Sequence, residues 1–201
     1  MSRWRATPAQ LATLLAGLWI FGAGEALLVA SELGNSPWTV LAEGVGDQTG
    51  IGVGAATVAI SFLVLALWIP LRERPGLGTI ANAIVIGISI GVTLGLLPDL
   101  HELPARLGAV VAGIGIVAVG SGLYLMTRLG AGPRDGLMLG LHRRTGLSVR
   151  LVRTIIESTA VALGFVLGGT VGIGTVAFAL LIGPGVQATL GALSATPAHE
   201  L

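Results

Sequence analysis

Four charged residues in the second half of the chain are spaced to share a site. Arg134 and Asp135 directly follow Pro133, and Arg153 and Glu157 stand four apart. On a helix that spacing puts both on one face, where they can pair, and Arg150 extends the same stripe. The stripe continues as Val161, Gly164 and Gly168, which allows close helix packing. An ionised group inside a membrane span costs on the order of 2.5–3.5 kcal/mol at the helix centre, so such groups pair or face water. Two readings stay open: a shared polar face lining a path, or a structural ion pair near an interface. Glu25 is a lone carboxyl in an apolar run with nothing obvious in sequence to neutralise it. It is either a protonatable group in a coupled pathway or a carboxyl kept neutral by burial.

These residues offer binding chemistry rather than catalysis. No Ser-His-Asp set, paired catalytic carboxylates or metal motif emerges. There is no cysteine, which excludes thiolate sites and disulfides. His101, His142 and His199 are scattered without metal-ligand spacing. No enzyme activity, cofactor or metal is expected. A net charge of +1 and the lack of long basic runs argue against nucleic acid.

Composition sets where the chain lives. Only 10% of its 201 residues are charged, 53% are hydrophobic and the mean hydropathy is +0.90. A soluble domain carries about 25% charged residues. Most of this surface must therefore face lipid. A span needs about 20 apolar residues. Six segments qualify: 11–30, 52–71, 77–97, 107–127, 151–168 and 173–193. The first alone could pass as a signal peptide with Val29-Ala30-Ser31 as its cleavage site. Its counterpart inside the chain, described below, argues for a span. Two stretches at 37–47 and 133–143 follow a proline and are too short to cross.

Arginine accumulates on the cytoplasmic side of membranes. Arg3 and Arg5, then Arg72 and Arg74, then Arg128, Arg134, Arg143, Arg144 and Arg150 alternate with acidic or uncharged loops. The pattern puts both termini in the cytoplasm, with only Arg106 out of place. Trp4, Trp19, Trp38 and Trp68 read as interfacial anchors, and Gly87, Gly91 and Gly95 as a packing face.

Shifted by 96, the sequence aligns on itself, with 29 of 87 positions identical over 11–97 against 107–193. Leu33-Gly34-Asn35-Ser36-Pro37 falls on Leu129-Gly130-Ala131-Gly132-Pro133, and Gly76-Leu77-Gly78-Thr79 on Gly172-Ile173-Gly174-Thr175. Thr57 and Ser61 fall on Arg153 and Glu157. Three crossings per unit force the second unit to enter from the opposite side, the plan of many secondary transporters. The glycine pairs do not follow a strand, so they are not a nucleotide loop.

The two short helices would present the set Ser36, Pro37, Trp38 and Thr39 opposite Pro133, Arg134 and Asp135. Proline suits the first helical position, and Ser36 can cap the first of them. If they dip inward, their N-termini favour an anionic group. An amphipathic helix lying in the interface is the competing reading, notably for 133–144.

Gly130-Ala131-Gly132-Pro133-Arg134-Asp135-Gly136-Leu137-Met138, Arg153-Thr154-Ile155-Ile156-Glu157 and Gly172-Ile173-Gly174-Thr175 resemble the YczE branch of the YczE/YyaS/YitT group of bacterial membrane proteins. Asn35-Ser36-Pro37-Trp38-Thr39-Val40 resembles the first-repeat counterpart of that motif. The resemblance spans residues 15–192 and implies an integral membrane protein, with no established substrate. The expectation is one all-α membrane domain, residues 1–201, of six transmembrane helices, two short re-entrant or interfacial helices and an inverted repeat. Its expected partners are the bilayer, a small solute (an anion among the candidates) and a second copy of itself. The expected role is solute movement across the cytoplasmic membrane; the rival is an accessory or scaffold protein.

Overall fold

The computed structural model describes residues 3–195; residues 1–2 and 196–201, with His199 among them, lie outside the description. Among the described residues there are helices and no strands. They are α1 (Pro8–Ser31), α2 (Pro37–Thr49), α3 (Val53–Ala66), α4 (Trp68–Leu71), α5 (Leu77–Leu96), α6 (Leu103–Met126), α7 (Pro133–Thr145), α8 (Val149–Val166) and α9 (Ile173–Ala195). Five stretches are long and apolar enough to cross a membrane: Pro8–Ser31, Val53–Leu71, Leu77–Leu96, Leu103–Met126 and Ile173–Ser194. α8 has 18 residues but carries Arg150, Arg153 and Glu157, and it falls outside that group. The two Pro-led helices have 13 residues each, about 20 Å of helix, which is short of a hydrocarbon core of roughly 30 Å.

Local chemistry sets several helix ends. Thr7 and Gln10 form a reciprocal capping box at the start of α1. Ser148 accepts the Leu151 N–H at 3.2 Å to start α8. Ser36 does not play this part for α2, contrary to expectation.

α1 and α6 form the closest pair, and glycines bring their backbones together. A Cβ on Gly24 would sit 2.8 Å from the Gly113 carbonyl, and one on Gly113 would sit 2.9 Å from the Gly24 carbonyl. Gly17 and Gly120 meet in the same way, at 3.0 and 2.7 Å. α5 flanks α1, α9 flanks α6, and α2 lies on α8 while α7 lies beside α3 and α4.

The backbone repeats its unusual points at a separation of 96. Positive φ occurs at Glu32, Gly34, Gly50 and Arg72, and again at Arg128, Gly130, Gly146 and Gly168. Gly34 and Gly130, at φ 113° and 133°, make the bends that turn the chain into α2 and α7, a conformation open to glycine alone. The glycine pairs have a structural job. The Gly78 N–H donates to the Leu129 carbonyl at 3.0 Å, and the Gly174 N–H to the Leu33 carbonyl at 2.8 Å. Thr79 adds a bond to the Ala131 carbonyl at 2.7 Å.

The tryptophans divide. Trp4 and Trp19 are exposed, Trp19 midway along α1 rather than at its end, and Trp38 and Trp68 are buried. Trp68 donates its ring N–H to the Pro133 carbonyl at 2.9 Å, because Gly136 leaves room for the ring against α7. Arg106, the outlier of the charge pattern, is tied down locally. It bonds the Ser31 and Glu32 carbonyls at 2.6 and 3.0 Å and pairs with the Glu32 carboxylate at 3.2 Å. In the expected glycine face of α5, Gly87 packs against Gly54, whereas a Cβ at Gly91 or Gly95 would meet nothing within 4 Å.

Candidate functional site

The N-terminal ends of α2 and α7 face one cavity of about 380 Å³, walled by α1, α5, α6, α8 and α9. Of the residues singled out in sequence, Ser36, Pro37, Trp38, Arg134, Asp135, Arg153 and Glu157 line it, and so does Glu25. Thr39 stands just behind, bonded to Glu25. Pro133 is buried behind the wall, and its carbonyl is engaged by Trp68.

Each carboxylate here has a protein donor. Glu25 Oε2 accepts the Ser36 and Thr39 hydroxyls, both at 2.8 Å. Ser36 thereby reaches α1, and within α2 it meets the Thr39 hydroxyl at 3.0 Å rather than a backbone N–H, so the backbone cap is missing. Glu25 Oε1 is buried with no hydrogen-bond partner among the described residues. Asp135 accepts the Tyr124 hydroxyl at 3.1 Å. Glu157 accepts Arg153 Nε at 2.8 Å, so the pair expected along α8 forms.

Arg134 differs. Its guanidinium lies over the Trp38 ring, 5.1 Å from the centroid, and makes no hydrogen bond or ion pair among the described residues. Stacking on an aromatic face holds a guanidinium in place while leaving its N–H fork free. The first N–H groups of α2 and α7 also lack intrahelical acceptors, as at any helix start. A stacked arginine between two helix starts can receive an oxyanion, in competition with the Glu25, Asp135 and Glu157 carboxylates of the same cavity.

Sequence reasoning passed over Tyr124, Ser121, Asn82 and Gln187, which complete the polar lining. Ser121 had a signal: it is the residue 96 beyond Glu25. Tyr124 is the single tyrosine of the chain, but nothing in an apolar run says it will meet Asp135.

Outside the cavity, Glu43 on α2 holds the turn before α9. It accepts the Asn35 amide at 2.8 Å, the Thr170 N–H at 2.5 Å and the Thr170 hydroxyl at 3.1 Å. Burial pushes its carboxyl above the usual carboxylate range. The Thr170 and Asn35 donors oppose that rise, and the Asp47 charge adds to it.

Residues 8–190 match a family of unknown function, DUF6198. The chain belongs to that family. Within this similarity, a Haemophilus influenzae uncharacterized protein is 43% identical over 196 residues, covering 98% of this chain and 90% of its own length. The Bacillus subtilis uncharacterized membrane protein YczE is 32% identical over 170 residues, covering 84% and 79%. The Bacillus subtilis uncharacterized protein YyaS is 31% identical over 163 residues, covering 79% and 81%. No solved structure matches. The resemblance to the YczE branch therefore extends through most of the chain. With its apolar helices, this DUF6198 member is a multi-pass membrane protein.

Proposed function

We propose that the protein moves a small solute carrying an anionic group across the cytoplasmic membrane, with the Arg134 cavity as the central binding site. In this reading it is neither an enzyme nor dependent on a cofactor. One observation carries it: a cavity between the helix starts of α2 and α7 holds a guanidinium stacked on Trp38 and without a hydrogen-bond or ion-pair partner among the described residues. Glu25, a deeply buried carboxyl in the same wall, fits a coupling group.

The transport architecture in this reading has six crossings, α8 being the sixth, and two units in opposite orientations. The reciprocal meeting of Gly17 with Gly120 and Gly24 with Gly113 supports it, since each residue of one pair lies 96 from a residue of the other. So do the crossed bonds of Gly78 to Leu129 and Gly174 to Leu33. Two like units related by a two-fold axis in the membrane plane would meet in such reciprocal pairs. Alternating access follows from rocking one unit against the other, with α2 and α7 as re-entrant helices. The loop charges support cytoplasmic termini, and the protein works alone or as a homo-oligomer.

The test is uptake and efflux profiling of a deletion strain, complemented with the wild type, Arg134→Ala or Glu157→Gln. The expected result is loss of complementation by both variants at wild-type membrane abundance. Full complementation by both would remove the cavity as the working site.

A further inference from the structure

The two units differ at one seam. α3 lies against α5 with backbones in contact: a Cβ on Gly87 would sit 2.5 Å from the Gly54 carbonyl and 2.5 Å from the Val58 side chain. The positions 96 further on are Arg150, Thr154 and Gly183. There α8 and α9 stand apart, and a Cβ on Gly183 would meet nothing within 4 Å. Only 11% of the α9 span is buried, against 39% for α5, so α9 lacks the neighbour that α5 has. Between α8 and α9 runs a groove of about 720 Å³. It shares Pro37, Arg153, Glu157 and Gly183 with the central cavity, so the two spaces adjoin at these residues.

The groove has two chemical ends. Arg150 and Arg153 stand at one, with Glu157 paired to Arg153, and Phe165 and Val171 at the other. Arg153 and Phe165 are twelve residues apart on α8, about 18 Å of helix, the reach of a mid-length acyl chain. A water-soluble ion would gain nothing from the apolar end. A molecule with an anionic head and one hydrocarbon tail matches both ends.

We infer that the α8–α9 seam is a lateral entrance from the bilayer, and that the solute is a single-chain anionic amphiphile whose head reaches Arg153 and Arg134. This rests on the transport reading and narrows its substrate class. Closing the seam as α3 and α5 are closed would seal the cavity from lipid.

Trp38, in the cavity wall, reports on entry. The protein is placed in lipid nanodiscs and titrated with dibromostearate, and quenching is taken as the wild type minus Trp38→Phe. Saturable quenching is expected, relieved by excess oleate but not by acetate. Arg153→Gln is expected to raise the half-saturation concentration about tenfold. A Thr154→Cys/Gly183→Cys pair, placed where Val58 and Gly87 touch in the other unit, should block quenching when bridged by a bis-methanethiosulfonate reagent that spans the open seam and restore it when reduced. The cysteine-free background keeps that result clean. Competition by acetate equal to that by oleate would overturn lateral entry and leave a water-soluble anion, so the transport reading would stand. Uniform quenching by dibrominated phosphatidylcholine, with no saturable stearate component, would reduce the groove to bulk lipid contact. No quenching by stearate and no effect of small anions would remove both readings.

Discussion

The Ser36 hydroxyl lies 2.8 Å from Glu25 Oε2, so the residue placed to cap α2 instead ties α2 to α1. Losing it should cost about 0.5–1.5 kcal/mol, because Thr39 still donates to the same oxygen. The two possible roles separate in a double-mutant cycle. Ser36→Ala should cost much less in a Glu25→Ala background than alone, with a coupling above about 0.5 kcal/mol in thermal or denaturant unfolding. Additivity would mean that Ser36 acts on its own helix.

Gly136 and Gly140 lie one turn apart on α7 and should respond differently. A Cβ at Gly136 would run into the Trp68 ring, whereas one at Gly140 meets the movable end of Leu71 at 3.0 Å. Gly136→Ala is expected to lower stability by about 1–3 kcal/mol or more, and Gly140→Ala by clearly less. Thermal melts of the two purified variants check the order.

Arg134→Lys keeps the charge and loses the planar fork, and Arg134→Gln loses both. If the guanidinium receives the solute, apparent KM should rise for lysine and rise further, by about tenfold or more, for glutamine. Equal and small effects in a transport assay would take Arg134 out of solute recognition.

Glu43 links pH to stability. Its carboxyl is held above the usual range chiefly by burial, so the folded protein holds that proton more tightly than the unfolded chain does. The stabilisation is complete below the unfolded value of about 4.5 and is lost as pH rises through the folded value. Glu43→Gln should flatten the decline of unfolding midpoint just above pH 4.5. An unchanged slope in the variant would show that other groups carry it.

The opposed orientation of the units has a direct check. Single cysteines at Gln48 and at Arg144, at the far ends of α2 and α7, should react with an impermeant maleimide from opposite sides of the membrane. Labelling from one side only, at both positions, would collapse the two-fold arrangement.

Much of the frame could be read from the residues. Runs of apolar residues placed five stretches within a few positions, and Pro37 and Pro133 marked the starts of α2 and α7. The cavity set was also legible, since charges in apolar text have few tolerable places. What escaped were pairings between distant elements. Trp68 is near a span end in sequence, but Gly136, far along the chain, decides that its ring goes inward. Ser36 looked like a cap because local chemistry allows it; Glu25, eleven residues earlier, competes for the same hydroxyl. Nor does hydropathy separate α9 from α5, although much less of the α9 span is buried.

The crossed bonds of Leu33 with Gly174 and Leu129 with Gly78 also set a timetable. The ribosome releases Leu33 long before Gly174 exists, so that ledge of the first helices stays vacant through most of synthesis. The nascent protein can pack α1 against α5 and α6 beforehand, but the Leu33 bond waits for the last helix. A chain stalled before α9 is thus a clasp with one of its two hooks unfastened.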